Sequence, residues 1–129
     1  METSHPGDLT TLLSSLKSEE YCYLTTTGRV TGNPHEIEIW FAIEGNTLYF
    51  LSGNHKSDWV RNLRAQPAAT VRIAEHKFAG LARIVQEAKE ELTARHKIAE
   101  KYQEWEENKS LSEWARTALP MAIDMQGTA

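Results

Sequence analysis

Residues 35–52 read HEIEIWFAIEGNTLYFLS, and this stretch decides the fold class. From His35 to Ile43, isoleucine and phenylalanine alternate with glutamate, tryptophan and alanine, the period-two pattern of a strand with one apolar face. Gly45 follows within Glu-Gly-Asn, and glycine accepts the positive φ that a tight hairpin turn requires. Residues 47–52 then return as a second strand. The stretch therefore predicts a β-hairpin near the centre of the chain.

The flanking sequence supplies further strand and helix patterns. Aromatic and β-branched runs predict strands at residues 21–27, 69–73, 77–85 and 119–125. Helical spacing of apolar residues predicts helices at residues 8–17, between Ser57 and Gln66, at 87–105 and in part of 110–117. Six short strands with interspersed helices predict a mainly β fold with helices, either a small barrel or a strongly curled sheet, because closure removes exposed edges.

The composition is that of one folded domain spanning residues 1–129. Apolar residues make up 40% of the chain and charged residues 25%, which excludes a disordered protein. A chain of 129 residues has no length for a second core. Within the domain we predict an N-terminal helical segment at 1–18, a barrel with inserted helices at 19–125 and a short tail at 126–129.

Charge and cysteine content restrict the partners and the compartment. Fourteen basic and eighteen acidic residues give a net charge of −4, which argues against binding to nucleic acid. Cys22 is the single cysteine, so an internal disulfide and a multi-cysteine zinc site are excluded. The N-terminus lacks a signal-peptide pattern, and no run reaches the roughly 18 apolar residues of a membrane span. We therefore expect a cytoplasmic protein without a membrane span.

Common catalytic and metal motifs are missing from the sequence. It contains no G-x-S-x-G, G-x-G-x-x-G, Walker A or H-E-x-x-H pattern, and its five histidines lack ligand spacing, so no metal site is predicted. Glu36 and Glu38 could form a carboxylate pair, but the solvated face of an amphipathic strand is the favoured interpretation. Cys22 has no basic neighbour in sequence, which favours a packed thiol over a nucleophile.

A basic region stands out against the acidic background. Residues 56–83 carry six Lys and Arg against two acidic residues, a local net charge of +4. Its first part, Ser52 to Trp59, combines a strand end, a glycine loop and a helix start, where free amides and the helix dipole favour a phosphate. Lys56 and Ser57 would complete such a site. A solvated loop with ordinary basic residues is the open alternative.

Three sequence blocks carry a family resemblance. They are T-T-x-G-R at residues 25–29, W-x-x-N-L at 59–63 and P-x-x-T-V at 67–71. In this order they resemble the deazaflavin-dependent reductases, which belong to the flavin-binding split β-barrel group that includes pyridoxamine-phosphate oxidase. The similarity extends from about Tyr21 to the strand that ends near Asp124, which is most of the chain.

The resemblance implies a six-stranded split β-barrel with flanking α-helices and a groove for coenzyme F420. The cofactor ring would lie against the strand from His35 to Ile39, and its phosphate would lie in the loop that begins at Ser52. The residues that it assigns to the cofactor are Arg29, His35, Ile37, Glu38, Ser52, Lys56, Ser57, Trp59 and Asn62. No catalytic side chain is implied, since the cofactor carries the hydride.

The implied activity is hydride transfer from reduced F420 to a small electron-poor acceptor such as a quinone, enone or nitro compound. Arg29 is the candidate contact for the glutamyl tail of the cofactor, with protonated His35 as a second contact and Arg61 as the alternative. The alternatives are the same barrel using FMN, or a cofactor-binding module without turnover. We expect a homodimer, because Trp40 lies on the strand face of Glu36 and Glu38, where a monomer would expose it. The alternative is that Trp40 packs under the helix at 87–105.

Overall fold

A computed structural model describes residues 6–129 of the protein, so His5 lies outside the described residues. The elements in chain order are α1 (Pro6–Ser15), β1 (Cys22–Thr27), β2 (Pro34–Ile39), β3 (Ala42–Glu44), β4 (Thr47–Ser52), α2 (Asp58–Ala65), β5 (Ala68–Ile73), β6 (His76–Ile84), α3 (Ala88–Tyr102), α4 (Glu113–Thr117) and β7 (Leu119–Thr128). The mainly β fold with flanking helices is confirmed. None of the helices within residues 6–129 combines the length and the apolar character needed to cross a bilayer.

The strands form one curled antiparallel sheet in the order β2-β1-β5-β6-β7-β4-β3. The first and last strands in this order, β2 and β3, are separated in sequence only by Trp40 and Phe41. A two-residue connection between opposite edges requires the sheet to curl until its edges approach each other. The sheet is therefore a half-barrel with a split between β2 and β3.

The prediction of six strands is wrong, because the single strand expected at 35–43 is divided into β2 and β3. At the division, the backbone of Phe41 bonds to side chains of α3. Its amide donates to Tyr102 Oη at 3.1 Å, and its carbonyl accepts from Lys101 Nζ at 3.0 Å. Burial lowers the pKa of Lys101 to about 8. Side chains from α3 thus satisfy polar groups that a continuous strand would pair in a ladder.

The predicted hairpin is confirmed, and alternation places its apolar side chains in the core. Glu44 pairs with Thr47 around Gly45, whose φ is +62°. β1 alternates strictly between buried and half-buried positions, with Cys22, Leu24 and Thr26 facing inward. The largest fully buried side chains are those of Phe41, Phe50 and Phe78.

Trp40 packs against α3 rather than presenting an exposed face. Its indole stacks on the Tyr102 ring with centroids 4.3 Å apart and an interplanar angle of 6°. Trp114 from α4 packs edge-to-face against the Trp40 ring, with the two ring centroids 5.8 Å apart. This is the alternative that the sequence left open, so Trp40 no longer supports the expectation of a dimer.

Most element ends lie within two residues of the predicted ones, and the largest differences are at the ends of α3 and β7. α3 ends at Tyr102, and Trp105 follows outside the helix with its ring stacked on His96 at 4.2 Å. β7 continues to Thr128, so most of the predicted tail pairs with β6 as strand.

Candidate cofactor site

A small cleft forms where the β1–β2 turn meets α2. Its volume is about 220 Å³, and we call it the Arg29 cleft. Its lining residues are Gly28, Arg29, Val30, Thr31, His35, Asp58 and Asn62. The turn is closed by Gly28 N, which donates to Asn33 O at 2.7 Å, and by Gly32, whose φ of +79° suits a glycine. The turn thus presents Arg29 toward the start of α2.

Asn62 holds Arg29 in place from below the cleft. It is 2% exposed, and its Oδ1 accepts from the Arg29 backbone N at 3.1 Å and from Arg29 Nη1 at 2.7 Å. Its Nδ2 donates to Thr26 Oγ1 at 3.1 Å. The resemblance assigned Asn62 to the cofactor; in the structure it lines the cleft, and two of its three bonds position Arg29.

The guanidinium of Arg29 has one further partner. Its Nη2 lies 3.1 Å from Asp58 Oδ1, and the two side chains are 24% and 85% exposed. A guanidinium carries five N–H donors, so this contact and the bond to Asn62 leave three without a partner among residues 6–129. Arg29 can therefore accept an additional anionic partner.

His35 also lines this cleft and is exposed. β2 pairs with β1 so that His35 is opposite Thr26, which places both on the inner face of the sheet. A methyl group at Gly28 would lie 2.6 Å from His35 Nε2, so glycine lets the imidazole lie against the backbone of the turn. His35 and Arg29 thus line one cleft.

The loop from Ser52 to Ser57, which we call the phosphate loop, adjoins this cleft through Asp58. Ser52 Oγ donates to Asn54 O at 2.7 Å and lies 3.1 Å from Ser57 Oγ. The Lys56 amide donates to Asn54 Oδ1 at 2.8 Å, which fixes the turn. The exposed Lys56 ammonium makes no ion pair within residues 6–129. Ser57 precedes α2 without a side-chain cap, so first-turn amides stay open to an acceptor.

Two assigned residues point away from this region. Glu38 lies opposite Tyr23 on the outer face of the sheet and accepts from its hydroxyl at 3.1 Å, and this bond raises the pKa of Tyr23. Trp59 turns toward the core, where its ring packs on that of Phe50 with the two ring centroids 6.1 Å apart. Ile37 stays on the inner face of β2, opposite Leu24 and half-buried.

The alternative sites considered in the sequence are structural. Glu36 and Glu38 are both exposed, and Glu36 lies 4.0 Å from Arg72, as expected for a solvated strand face. Cys22 is fully buried, and burial raises the pKa of its thiol to about 12. A thiol in this state is a packing group and not a nucleophile.

Asp58 is the residue of the site that sequence reasoning missed. A contact between positions 29 and 58 leaves no local signal in the sequence. The structure therefore joins Arg29, His35 and Asn62 in one cleft and Ser52, Lys56 and Ser57 in the adjoining loop, with Asp58 between them.

Known structures show the same fold at low sequence identity. A protein from Bacteroides thetaiotaomicron, described provisionally as a 5-nitroimidazole antibiotic resistance protein, superposes with a TM-score of 0.74 at 16% identity, covering 92% of this chain and 80% of that one. An F420 reductase gives a TM-score of 0.64 at 18% identity, with coverage of 90% and 94%. A FAD-binding protein from Mesorhizobium loti gives 0.67 at 17%, with coverage of 90% and 88%. No protein of curated function matches the sequence.

The family comparison is more specific than the fold. The family model described as F420H(2)-dependent quinone reductase matches residues 7–126, nearly the whole chain. This match confirms the resemblance carried by the three sequence blocks, and with it the identity of the cofactor as coenzyme F420. The chain belongs to the F420H(2)-dependent quinone reductase family and is an F420-dependent oxidoreductase.

Proposed function

We propose that the protein transfers hydride from reduced F420 to a small, planar, electron-poor acceptor, with the cofactor lying along β2 and its phosphate in the phosphate loop. The single observation that carries this placement is the exposed ammonium of Lys56, which makes no ion pair in the described part of the chain and lies next to the uncapped start of α2, beside the Arg29 cleft. Two cationic positions in adjoining parts of one surface suit a ligand that carries a phosphate and an anionic tail.

The phosphate loop fits a phosphate on three counts. Lys56 supplies an exposed charge, Ser57 supplies a hydroxyl, and the first turn of α2 supplies amides without a side-chain acceptor. Phosphate at a helix N-terminus is stabilised by those amides and by the helix dipole. The hydrogen bonds of Asn54 hold the loop in this shape before any ligand binds.

The edge of the sheet fits a planar ring. β2 pairs only with β1, so alternate backbone N–H and C=O groups of β2 face away from the sheet. Ile37 and Ile39 are half-buried on its inner face and offer apolar contact. In our proposal Ile37 and Ile39 would hold the ring by apolar contact, and the free backbone groups at this edge would supply its hydrogen-bond partners.

The chemistry is divided between the cofactor and the chain. When bound, the deazaflavin supplies the hydride. The chain holds the phosphate with Lys56 and Ser57, holds the tail with Arg29, and excludes water from the ring with the apolar side of β2. This division explains why the sequence carries no catalytic dyad.

An aromatic cluster beside the phosphate loop supports a planar acceptor. The Trp40 ring contacts both Tyr102 and Trp114, and Trp114 lies so close to Gly53 that a methyl group there would be 3.0 Å from Trp114 Nε1. Half-exposed indoles offer a flat apolar surface suited to quinones, enones and nitroaromatics. The nitroimidazole named for one structural relative belongs to the same chemical class.

The test compares two lysine variants in a fluorescence titration with F420. Lys56→Ala removes a charge-assisted contact worth about 1.5–3 kcal/mol, which corresponds to roughly 10- to 150-fold weaker binding. Lys89→Ala, an exposed lysine on α3, is the control and should bind as the wild type does. Unchanged affinity in Lys56→Ala would reject the phosphate placement.

The same preparation tests the two rival functions. Tighter binding of FMN than of F420 would favour the FMN enzyme, and tight F420 binding without oxidation of the reduced cofactor by menadione would favour a binding module. The homodimer stays a prediction, and light scattering that gives a particle of 14.6 kDa at micromolar concentration would contradict it.

A further inference from the structure

Asp58 occupies the position at Arg29 that an anionic ligand would take. Its Oδ1 accepts a single hydrogen bond, from Arg29 Nη2 at 3.1 Å, while the carboxylate itself is 85% exposed. On the opposite side, Asn62 is 2% exposed and accepts two bonds from Arg29. The arginine is therefore held firmly from the protein side and weakly from the solvent side.

We propose that the Asp58 carboxylate competes with a carboxylate of the ligand for Arg29, and so sets how tightly the Arg29 cleft retains an anionic tail. An exposed pair of this kind contributes about 0–1 kcal/mol, so exchanging Asp58 for another carboxylate costs little. Arg29 keeps its position during the exchange because its bonds to Asn62 are independent of Asp58.

The ligand chemistry is a carboxylate presented by a flexible chain. This part of the inference rests on the proposed function, in which the glutamyl tail of F420 reaches Arg29 from the phosphate loop. A free glutamate peptide shares the chemistry without the ring or the phosphate. The two sources are separated by using each as a probe.

Asp58→Asn keeps the size of the side chain and removes its charge. We expect this variant to bind long-tailed F420 about 1.5- to 5-fold more tightly than the wild type, and tail-trimmed F420 with unchanged affinity. In the Arg29→Ala background this gain in affinity should disappear, because the guanidinium for which Asp58 and the ligand carboxylate compete is no longer present. Glu75→Gln, an exposed acid in the β5–β6 turn, is the matched control and should leave both affinities unchanged.

Three results would overturn the proposal. The first is no gain for long-tailed F420, and the second is an equal gain for both tail lengths, which would make Asp58 a general repulsion on the phosphate. The third is a gain that persists without Arg29. Each is read from the same fluorescence titrations, so the answer is independent of turnover.

An experiment without F420 tests the competition at Arg29 independently of where F420 binds. The NMR signal of the Arg29 side-chain Nε–H is followed during titration with linear triglutamate in the wild type and in Asp58→Asn. Competition predicts saturable shifts with tighter binding in the variant. This result would stand even if Lys56→Ala left F420 affinity unchanged, and absence of any shift in both proteins would reject the competition itself.

Discussion

Arg83 and Arg29 both hydrogen-bond to polar side chains, but the number and the charge of their partners differ. Arg83 on β6 makes four side-chain hydrogen bonds, two to Glu90 and two to Asp124, at 2.7–3.1 Å. Those carboxylates also accept from Tyr49 and Thr47. Arg29 makes two side-chain bonds, to a neutral amide and to one exposed carboxylate.

The difference separates a structural arginine from one that can take part in binding. Two bidentate carboxylates use nearly all the donors of Arg83 and more than neutralise its charge, so a ligand anion there would meet repulsion. Arg29 keeps free donors and faces a single partner that solvent can replace. The availability of an arginine is thus set by its partners rather than by its exposure.

The largest expected effect comes from removing the residue that holds Arg29. Asn62→Ala takes three hydrogen bonds from a buried position and leaves Thr26 and the Arg29 amide without their partners. We expect a loss of about 2–3 kcal/mol in the free energy of unfolding, measured by urea denaturation. Affinity for long-tailed F420 should fall relative to the tail-trimmed form. A stability loss with both affinities unchanged would make Asn62 a structural residue alone.

A second experiment exchanges the two arginines for methionine and should separate their roles. Arg83→Met leaves Glu90 and Asp124 facing each other, so we expect a loss of about 1–2 kcal/mol of stability with cofactor affinity unchanged. Arg29→Met should change stability by less than about 0.5 kcal/mol and weaken binding of the long tail severalfold. If both variants lose stability to the same extent, or both lose affinity for the long tail, the two arginines do not have separate roles.

The smallest expected effect is a dependence of the unfolding free energy on pH that arises from the hydrogen bonds of Arg83 and not from those of Arg29. Hydrogen bonds from Arg83 lower the pKa of both Glu90 and Asp124 below their usual 4.5 and 3.8. The folded state therefore binds fewer protons than the unfolded state in this range, and its stability falls as pH drops below about 4.5. Arg83→Met should flatten this fall and Arg29→Met should not, as checked by urea midpoints between pH 3 and 6 (roughly the window of carboxylate titration).

Local patterns predicted the hairpin and most strands, because alternation and glycine act over a few residues. The break at Trp40 and Phe41 could not be predicted, since the alternation continues through it and the cause lies on α3, at Lys101 and Tyr102. The same limit applies to the end of α3, where Trp105 packs on His96 after the helix has ended.

For the candidate site, the sequence indicated individual residues but not the contacts between them. Charge and loop composition indicated Lys56 and Ser57, and the family resemblance added Arg29 and His35. The bonds that decide the role of Asn62 and Asp58 join positions about thirty residues apart, and only the folded backbone brings them together. Strand alternation alone indicates that Glu38 and Ile37 lie on opposite faces of β2, as the structure shows.

The two-residue link at Trp40 and Phe41 also governs the order in which the sheet can assemble. It ties two local hairpins, β1–β2 and β3–β4, whose strands then occupy opposite ends of the sheet. Short connections make such hairpins quick to form, whereas pairing of Thr47 with Asp124 closes a loop of most of the chain. β7 is the strand that bridges β4 to β6, so we expect its docking to be the slow step of folding.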